Sequence, residues 1–364
     1  MKLLFVVSGI GYGDSTREHA NIRAVKKAFP RAKILVAGYD NSYEYFKNKY
    51  KTVRIEGYKL PGKKLKINIG RFALANIFLP LFWFTSTLKV KLQEFNFKPD
   101  LIISDFEPVG LSLATLLGKK CLVVFGYDPL LFREYDKKNK VNYKVRTQAK
   151  YFEYLYSQAH MVALPTLGKK RRIVDYVYVN PIVRKEPKDL PSEKDLMNKL
   201  KLRKKPILVM LGGSEFGTRL ALDINKIAVK HKKEDFLIFG ANIKRVKLNE
   251  NVSYVRYADD VLKYLKVAKG VIALGGQLTL AEALVYKKPV LCFPIKDHVE
   301  QILNAHSVRN LVMVSKESNY KTVDRKVGEF IKKLPILKKK VVKYNLKAGG
   351  SKEIVNLIKV ALEK

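Results

Sequence analysis

Short apolar runs alternate along the chain with glycine turns and with stretches of helical periodicity. The clearest case is residues 271–305, VIALGGQLTLAEALVYKKPVLCFPIKDHVEQILNA, where an apolar run precedes Gly275-Gly276. A helical pattern then covers Leu278 to Leu284, a second apolar run covers Val290 to Phe293, and another helix begins near Glu300. Short apolar runs bounded by turns indicate buried strands. The pattern therefore predicts a strand–helix–strand–helix unit of a parallel sheet, and such sheets bind ligands where their strands end.

The opening of the chain and its midpoint share this pattern. Lys2 to Ser8 predicts a strand followed by a glycine loop, and Asp14-Ser15-Thr16 is expected to cap a helix from about Arg17 to Phe29. Ile207 to Leu211, followed by Gly212-Gly213-Ser214, repeats the arrangement. Each half of the chain therefore begins with a strand and a glycine turn.

The length of the chain agrees with two domains. A single core stops growing near ~250–300 residues, and this chain has 364. We expect Rossmann-like domains over residues 1–180 and 206–335, joined by a hinge over 181–205 that is rich in charge and proline. The first glycine loop lacks the GxGxxG spacing of dinucleotide-binding proteins, which argues against NAD binding.

The charge of the chain is strongly basic. It has 71 Lys+Arg against 33 Asp+Glu, a formal net charge of +38. Such a field attracts polyanions, whether nucleic acid, anionic lipid or a diphosphate, although part of the excess fits general lysine enrichment of the surface. No zinc spacing, RNA-binding aromatic strand or helix-turn-helix pattern accompanies the charge, so nucleic acid is not the expected partner.

Two further features bear on the compartment. No secretory signal is recognised at the start of the chain, and no apolar run reaches the ~18 residues of a membrane span. Cys121 and Cys292 both lie in apolar runs, which predicts buried free thiols in a reducing compartment. We therefore expect a cytoplasmic location.

Residues 58–91 combine lysines with a bulky apolar run from Phe72 to Phe84. One interpretation is a buried core helix, although Pro80 argues against an uninterrupted one. The other is an interfacial segment whose aromatic residues enter lipid headgroups while the flanking lysines meet phosphates. The basic flanks favour membrane contact. The residues expected to make it are Phe72, Phe78, Phe82, Trp83 and Phe84.

The spacing of the residue 271–305 motifs carries a resemblance. GGxxTxxEA, KPVLCFP and EQxxNA, in this order, resemble the nucleotide-binding half of GT-B glycosyltransferases, and are most similar to MurG-type and related archaeal transferases. The segment from Asn180 to Arg184 resembles their hinge. The resemblance implies an α/β GT-B fold of two Rossmann-like domains facing a central cleft. It also implies a helical tail, residues 336–364, that crosses back to the first domain.

The resemblance assigns a nucleotide-sugar site to the second half of the chain. Gly212-Gly213-Ser214 matches the glycine turn that holds the diphosphate at a helix N-terminus, where free N–H groups favour anions. Glu282 occupies the position of the acid that binds ribose, and Glu300 with Gln301 matches the pair that holds sugar hydroxyls. Arg184 is a candidate for the diphosphate or the base, or is a surface hinge residue. The remaining donor-site residues of the motif are Gly275, Gly276, Gln277 and Thr279.

The catalytic base departs from the MurG pattern. The histidine that follows the first glycine loop in those enzymes is replaced by Asp14, which is used in some GT-B enzymes and is our candidate base. A carboxylate with a pKa near ~3.9 needs burial or a neighbouring carboxylate to become a stronger base. The alternative is that Asp14 only caps the helix, with His19 as a second candidate.

Asp105 matches the acid that orients the histidine in related transferases. Without that histidine, it is expected to contact the acceptor or to share a proton with Asp14. Asp105-Phe106-Glu107 also resembles a metal-binding carboxylate pair, but the chain has no DxD motif, so no metal or other cofactor is expected. The first glycine loop is expected to meet the acceptor's diphosphate. The acceptor-site candidates are Gly11, Gly13, Ser15 and Arg17.

These features predict an inverting, metal-independent glycosyltransferase. It is expected to move a hexose or N-acetylhexosamine from a UDP-sugar to a lipid-linked acceptor, as a peripheral protein on the cytoplasmic membrane face. Three alternatives remain open at this point. They are transfer to a soluble acceptor, a GT-B-fold UDP-sugar epimerase, and a non-catalytic nucleotide-sugar binder.

Overall fold

The structure is a computed structural model that describes residues 1–59, 62–63, 66–67, 74–93, 96–105, 107–171, 176–212, 217–241, 243, 246–255 and 260–363. The chain divides into two compact units. The first contains Met1–Pro61, Asn68–Arg184 and Gly349–Lys364, and the second contains Gly62–Ile67 and Lys185–Ala348.

The strands and helices alternate along most of the chain. The strands are β1 Lys2–Val7, β2 Lys33–Gly38, β3 Lys51–Arg54, β4 Gly62–Lys63, β5 Lys66–Ile67, β6 Leu101–Asp105, β7 Cys121–Val124, β8 Met161–Pro165, β9 Tyr176–Val179, β10 Ile207–Met210, β11 Phe236–Phe239, β12 Val252–Val255, β13 Gly270–Ala273, β14 Val290–Cys292 and β15 Met313–Val314. The α-helices are α1 Tyr12–Ala28, α2 Asp40–Phe46, α3 Leu79–Gln93, α4 Pro108–Leu117, α5 Pro129–Asn139, α6 Tyr143–Ser157, α7 Glu193–Lys199, α8 Thr218–Ala228, α9 Val261–Val267, α10 Gln277–Val285, α11 Val299–Ser307, α12 Tyr320–Tyr344 and α13 Gly350–Glu363.

Each unit is built on a parallel sheet. The described strands of the first unit pair in the order β3-β2-β1-β6-β7-β8-β9, and those of the second in the order β12-β11-β10-β13-β14-β15. The central strands are almost continuously apolar and buried, as expected of strands covered by helices on both faces. Strands β4 and β5 form a separate antiparallel pair. The carboxyl ends of β1 and β6 are neighbours, because Val7 pairs with Asp105.

The predicted strands and most predicted helices occur within one or two residues of their expected ends. The helix Pro108–Leu117 is followed by Gly118, its left-handed C-cap, with φ 58°. The prediction for the first helix was wrong. It begins at Tyr12, with Gly11 as its N-cap, so Asp14 lies inside the first turn and does not cap the helix. Cys121 and Cys292 are buried free thiols, as predicted.

The tail of the chain forms two helices that belong to different units. Helix α12 packs in the second unit and ends at Asn345, which has a φ of 52°. Helix α13 packs in the first unit, where Ile354 and Ile358 join the core. Its Glu353 accepts hydrogen bonds from the Asn180 backbone at 2.6 Å, the Asn180 amide at 2.9 Å and Lys170 Nζ at 2.9 Å. These contacts fix the last helix to the end of β9.

Helix α3 and the turn before it expose apolar residues of the predicted membrane segment. Phe78 and Phe84 are 62% and 61% exposed, and Phe82 is also exposed, which is inconsistent with a buried core helix. Trp83 is partly exposed, with its indole nitrogen buried. Phe72 lies outside the described residues. Of the described helices, none is both long and apolar enough to cross a bilayer.

The close packing of Gly350, at the start of α13, against Asn180 leads to a stability prediction. A Cβ at Gly350 would lie 2.1 Å from the Asn180 carbonyl oxygen, a backbone atom that cannot move independently. Gly350→Ala should therefore lower the free energy of unfolding by about 1–3 kcal/mol. Gly328→Ala in α12 is the control: its Cβ meets nothing closer than 3.8 Å, so alanine should raise stability by about 0.5–1 kcal/mol. Urea unfolding of both variants checks this, and equal effects would contradict it.

Candidate active site

A buried ion-pair cluster lies at the carboxyl ends of β1 and β6. The Arg17 guanidinium donates from Nη2 to Asp14 Oδ1 at 2.9 Å and from Nε to Asp105 Oδ2 at 3.2 Å, and Nη2 also donates to Asp105 Oδ1. The pairing of β1 with β6 places Asp105 beside the loop that leads into α1. One helical turn separates Asp14 from Arg17, so both side chains face the end of β6. Arg17 therefore holds two carboxylates from two elements.

The two carboxylates differ in access. The Asp14 side chain is 28% exposed, whereas those of Asp105 and Arg17 are 1% and 3% exposed. Asp14 is thus the carboxylate that a substrate hydroxyl can reach. Asp105 fixes Arg17, which in turn fixes Asp14.

Burial sets the titration of this cluster. Burial raises the pKa of Asp14, while the charge and hydrogen bond of Arg17 and a hydrogen bond from Ser8 oppose the rise. The pKa of Asp105 lies well above its usual range, again because of burial and despite Arg17. Burial lowers the pKa of Arg17, but the charges of Asp105 and Asp14 raise it above its usual value. The desolvation required for an effective carboxylate base is therefore present at Asp14.

The acceptor-site candidates are only partly accessible. Arg17 is buried with its guanidinium engaged by Asp14 and Asp105, so it positions carboxylates and is not open to an acceptor phosphate. Ser15 is fully buried. Gly13 is exposed in the first turn of α1, and Gly11 is partly exposed as its N-cap. The loop glycines are therefore the accessible members of this set.

His19 lies apart from the ion-pair cluster. Its Nδ1 is 2.8 Å from the Tyr45 hydroxyl, and its ring packs edge-on against Tyr45, Phe46 and Tyr50. Burial lowers the pKa of His19 to about 4. The structure therefore gives His19 a packing role, and Asp14 is the better candidate base.

Sequence reasoning missed Glu18, which lies next to Arg17. Glu18 is fully buried, and its Oε1 accepts a hydrogen bond from Asn21 Nδ2 at 2.9 Å. Burial raises the pKa of Glu18 to about 7, although Arg17 opposes the rise. Polar residues at helical spacing, Asp14, Arg17, Glu18 and Asn21, were the signal in the sequence. This polar stripe indicates that α1 turns charged groups toward the sheet end.

Glu107 is a second buried acid that the sequence did not single out for the reaction. Burial raises the pKa of Glu107 to about 8, and the Tyr39 hydroxyl and Trp83 indole oppose the rise. The Ser104 hydroxyl forms two hydrogen bonds with the Glu107 backbone: it donates to the Glu107 carbonyl at 2.8 Å and accepts from the Glu107 N–H at 3.0 Å.

Both Asp105 oxygens accept from Arg17, so Asp105 and Glu107 are not arranged as a metal pair. Among the described residues, no group of three or more His, Cys, Asp or Glu side chains could hold a metal ion.

In the second unit, Gln301 ties together the ends of β13 and β14. Its Oε1 accepts from the Gly275 N–H at 3.1 Å and from the Ile295 N–H at 3.1 Å. Asn304 Nδ2 donates to the Gly275 carbonyl at 3.1 Å and to Glu300 Oε1 at 3.3 Å. A Cβ at Gly275 would lie 2.6 Å from the Gln301 carbonyl oxygen, so glycine permits α11 to come this close. The side-chain oxygen of Gln301, Oε1, is thus structural, and the NH₂ group of the same side chain is the part suited to bind a ligand.

Most of the other predicted donor-site residues lie at the start of α10 or within that helix, and Arg184 lies apart from them. Gly276 is the N-cap of α10, Gln277 and Glu282 are buried in that helix, and Thr279 is partly exposed. Arg184 is the last residue of the first unit and is partly buried.

The glycine turn after β10 is only partly described. Gly212 has a φ of 71°, a conformation that glycine adopts readily. Gly213 and Ser214 lie outside the described residues. Helix α8 begins at Thr218 with Gly217 as its N-cap, so Gly212 precedes that helix by several residues and is not at its N-terminus.

Three relatives indicate the class of protein. An uncharacterized glycosyltransferase of Methanosarcina acetivorans is 24% identical over 324 residues, covering 84% of this chain and 82% of that protein. Another, from Methanopyrus kandleri, is 31% identical over 140 residues, and this chain spans only 40% of its length. The UDP-N-acetylglucosamine–N-acetylmuramyl-(pentapeptide) pyrophosphoryl-undecaprenol N-acetylglucosamine transferase of Thermosipho melanesiensis is 32% identical over 162 residues, covering 42% of this chain and 45% of that protein.

Solved structures agree on the fold. The spinosyn forosaminyltransferase SpnP covers the whole chain and is itself wholly covered, with a TM-score of 0.68 at 15% identity. MurG of Acinetobacter baumannii covers 98% of this chain, which covers 99% of it, with a TM-score of 0.60 at 15% identity. The family model for glycosyl transferase family 1 matches residues 1–335. The chain therefore belongs to glycosyl transferase family 1 and is a glycosyltransferase with the GT-B fold.

Proposed function

We propose that this glycosyltransferase moves a hexose or N-acetylhexosamine from a UDP-sugar to a lipid-linked acceptor at the cytoplasmic membrane face, with inversion. The observation that carries the proposal is the partly exposed Asp14 carboxylate, held by the buried Arg17 and Asp105. A positioned base beside a substrate hydroxyl is the group that a single-displacement transfer requires. Other features of the two units support the donor and the acceptor separately.

In the proposed reaction, Asp14 accepts the proton of the acceptor hydroxyl as its oxygen attacks the anomeric carbon of the donor sugar. The bond between that carbon and the diphosphate oxygen breaks, and UDP leaves with the electron pair. Arg17 keeps Asp14 oriented, and the elevated pKa of Asp14 makes it a stronger base than an exposed aspartate. The chain's own groups suffice for this proton transfer, and we expect metal-independent turnover.

The donor class rests on the second unit. The Gln301 NH₂ group and Glu300 are suited to sugar hydroxyls, and Glu282 is our proposed ribose ligand. The Thermosipho relative is named for a UDP-N-acetylglucosamine donor and a pyrophosphoryl-undecaprenol acceptor. A UDP-sugar and a lipid-linked diphosphate are the corresponding substrate classes here.

The membrane location rests on α3. Its exposed face carries phenylalanines of the kind that enter lipid headgroups, and lysines on the same helix, Lys89 and Lys91, can meet anionic phosphates. A soluble acceptor predicts that this run is buried in the core, whereas its Phe78, Phe82 and Phe84 are exposed. The exposed face therefore favours a lipid-linked acceptor.

Asp14→Asn tests the proposed base. Because asparagine cannot accept the proton, kcat for UDP release from a UDP-sugar panel should fall about 10²–10⁴-fold, while calorimetric binding of UDP stays unchanged. Asp195→Asn, the same change in the first turn of α7, should leave turnover unchanged. Glu282→Ala should instead weaken UDP binding.

Two results would contradict the scheme. Normal turnover of Asp14→Asn would exclude Asp14 as the base. A wild-type chain that neither binds uridine nucleotides nor consumes UDP-sugars would exclude the donor class, and conversion of the donor into an isomer would identify an epimerase instead.

The buried carboxyl of Glu18 should lower the free energy of unfolding as the pH rises from about 4.5 to about 7. The Glu18 carboxyl keeps its proton to about pH 7 in the folded chain but loses it near pH 4.5 when unfolded. The unfolded chain therefore holds fewer protons between these values, so the free energy of unfolding falls as the pH rises through them. Glu18→Gln should remove this loss, raising stability by about 3 kcal/mol at pH 8 and leaving it unchanged at pH 4.

Urea unfolding from pH 4 to pH 8 measures this difference. Glu250→Gln, at an exposed position, is the control and should change stability equally at every pH. A constant effect of Glu18→Gln across the range would show that Glu18 is not held neutral by burial.

Vesicle flotation tests the face of α3. Phe78→Asp/Phe84→Asp should weaken binding to anionic vesicles at least about tenfold, because a fully buried phenylalanine contributes about 1.5–3 kcal/mol. Val177→Asp, at an exposed apolar position on edge strand β9, should have little effect. Unchanged binding of the double variant would exclude α3 as a membrane contact.

A further inference from the structure

The two halves of helix α12 differ sharply in charge. In the first half, Arg325 and Lys326 pair with Glu329 at 2.8 and 3.0 Å. From Phe330 to Ala348, by contrast, the chain has no acidic residue. It has seven lysines there, namely Lys332, Lys333, Lys338, Lys339, Lys340, Lys343 and Lys347. The positive charge of this half is therefore not balanced within its own helix.

These lysines point outward and are mostly unengaged. The buried face of this half consists of apolar residues, including Phe330, Leu337 and Val341, and the seven lysines are exposed. Lys338 donates to the Lys287 carbonyl at 2.7 Å. The other six lysines make no ion pair or hydrogen bond to any residue that the structure describes. Five of these free ammonium groups lie on the last four turns of α12 and the sixth, Lys347, follows the end of the helix; together they form what we call the α12 basic face.

Apolar side chains interrupt the α12 basic face. Ile336 is 58% exposed and Val342 is 43% exposed, and each lies one helical turn or less from several of the lysines. A face that served only for solubility would gain nothing from exposed β-branched residues. Lysines surrounding exposed apolar residues are the combination that binds lipid headgroups, because the cations meet phosphates while the apolar groups enter the boundary layer.

Nucleic acid is the competing partner for such a charge. Recognition of phosphate backbones and bases uses arginine extensively, because its planar fork forms paired hydrogen bonds. The segment from Phe330 to Ala348 has no arginine, and Ile336 and Val342 would contribute nothing to a phosphate contact. The composition therefore favours an anionic bilayer over a polynucleotide.

We propose that the α12 basic face is a second membrane-binding surface, selective for anionic lipid, on the nucleotide-binding unit. This inference does not depend on the acceptor or on Asp14, and it is separate from the proposed contact through α3. Lysine attraction of this kind is electrostatic, so it weakens as salt screens the surface.

The test uses the full chain and vesicles of phosphatidylcholine with about 30% phosphatidylglycerol, or of phosphatidylcholine alone. Changing Lys332, Lys333, Lys339 and Lys340 together to Gln should weaken binding to the anionic vesicles about 600-fold, because each of the four lysines near such a surface contributes a roughly fivefold gain. The matched control changes Lys194, Lys199, Lys232 and Lys233 to Gln, four exposed lysines of the same unit. It should weaken binding less than about threefold.

A second variant separates lipid from nucleic acid. Ile336→Asn/Val342→Asn, which removes the apolar groups without changing the charge, should weaken binding to anionic vesicles and leave binding to duplex RNA unchanged, and UDP release by all variants should match wild type. Equal losses for the two lysine sets would overturn the proposal, because net charge alone would then explain binding. Tighter binding to duplex RNA than to anionic vesicles, lost only in the α12 lysine variant, would also overturn it.

Discussion

One buried guanidinium organises the first unit's functional edge. Arg17 is almost inaccessible to water, and a charge in that position is tolerated only when it is paired and hydrogen-bonded. Its partners come from two elements, Asp14 from its own helix and Asp105 from the end of β6. The contacts of Arg17 therefore fix the position of α1, the direction of Asp14 and the burial of Asp105 together.

In the second unit, neutral groups hold the ends of the strands in place. The Gln301 amide oxygen holds two backbone N–H groups, one after β13 and one after β14, and Asn304 holds the Gly275 carbonyl. Neutral hydrogen bonds of this type fix loop geometry without a large desolvation cost. A carboxylate base needs the perturbed environment that buried charge creates, whereas a site that holds a nucleotide needs rigid, correctly directed donors and acceptors. The first unit thus offers the environment of a carboxylate base, and the second offers the rigid donors and acceptors that our proposed nucleotide site requires.

The two sites also differ in how visible they are in the sequence. The residues whose side chains join the loops after β13 and β14 lie between Gly275 and Asn304, so their spacing forms a motif that can be read directly. The ion-pair cluster joins residues 88 positions apart, and no local pattern connects Arg17 with Asp105. Glu18 was missed, and Glu107 was considered only as a metal ligand, because the significance of both comes from burial.

The sequence by itself determined the alternation of strands and helices, the two-part organisation, the GT-B fold and the glycosyltransferase class. Apolar runs and glycine turns are local, and the donor-side motifs are nearly so. The tertiary structure alone decided that α1 begins at Tyr12 and that Arg17 is a buried link. It also buried the indole nitrogen of Trp83. Each of these depends on which groups, distant in the sequence, come into contact in the folded protein. Hydrophobic periodicity is a local pattern and does not predict such contacts.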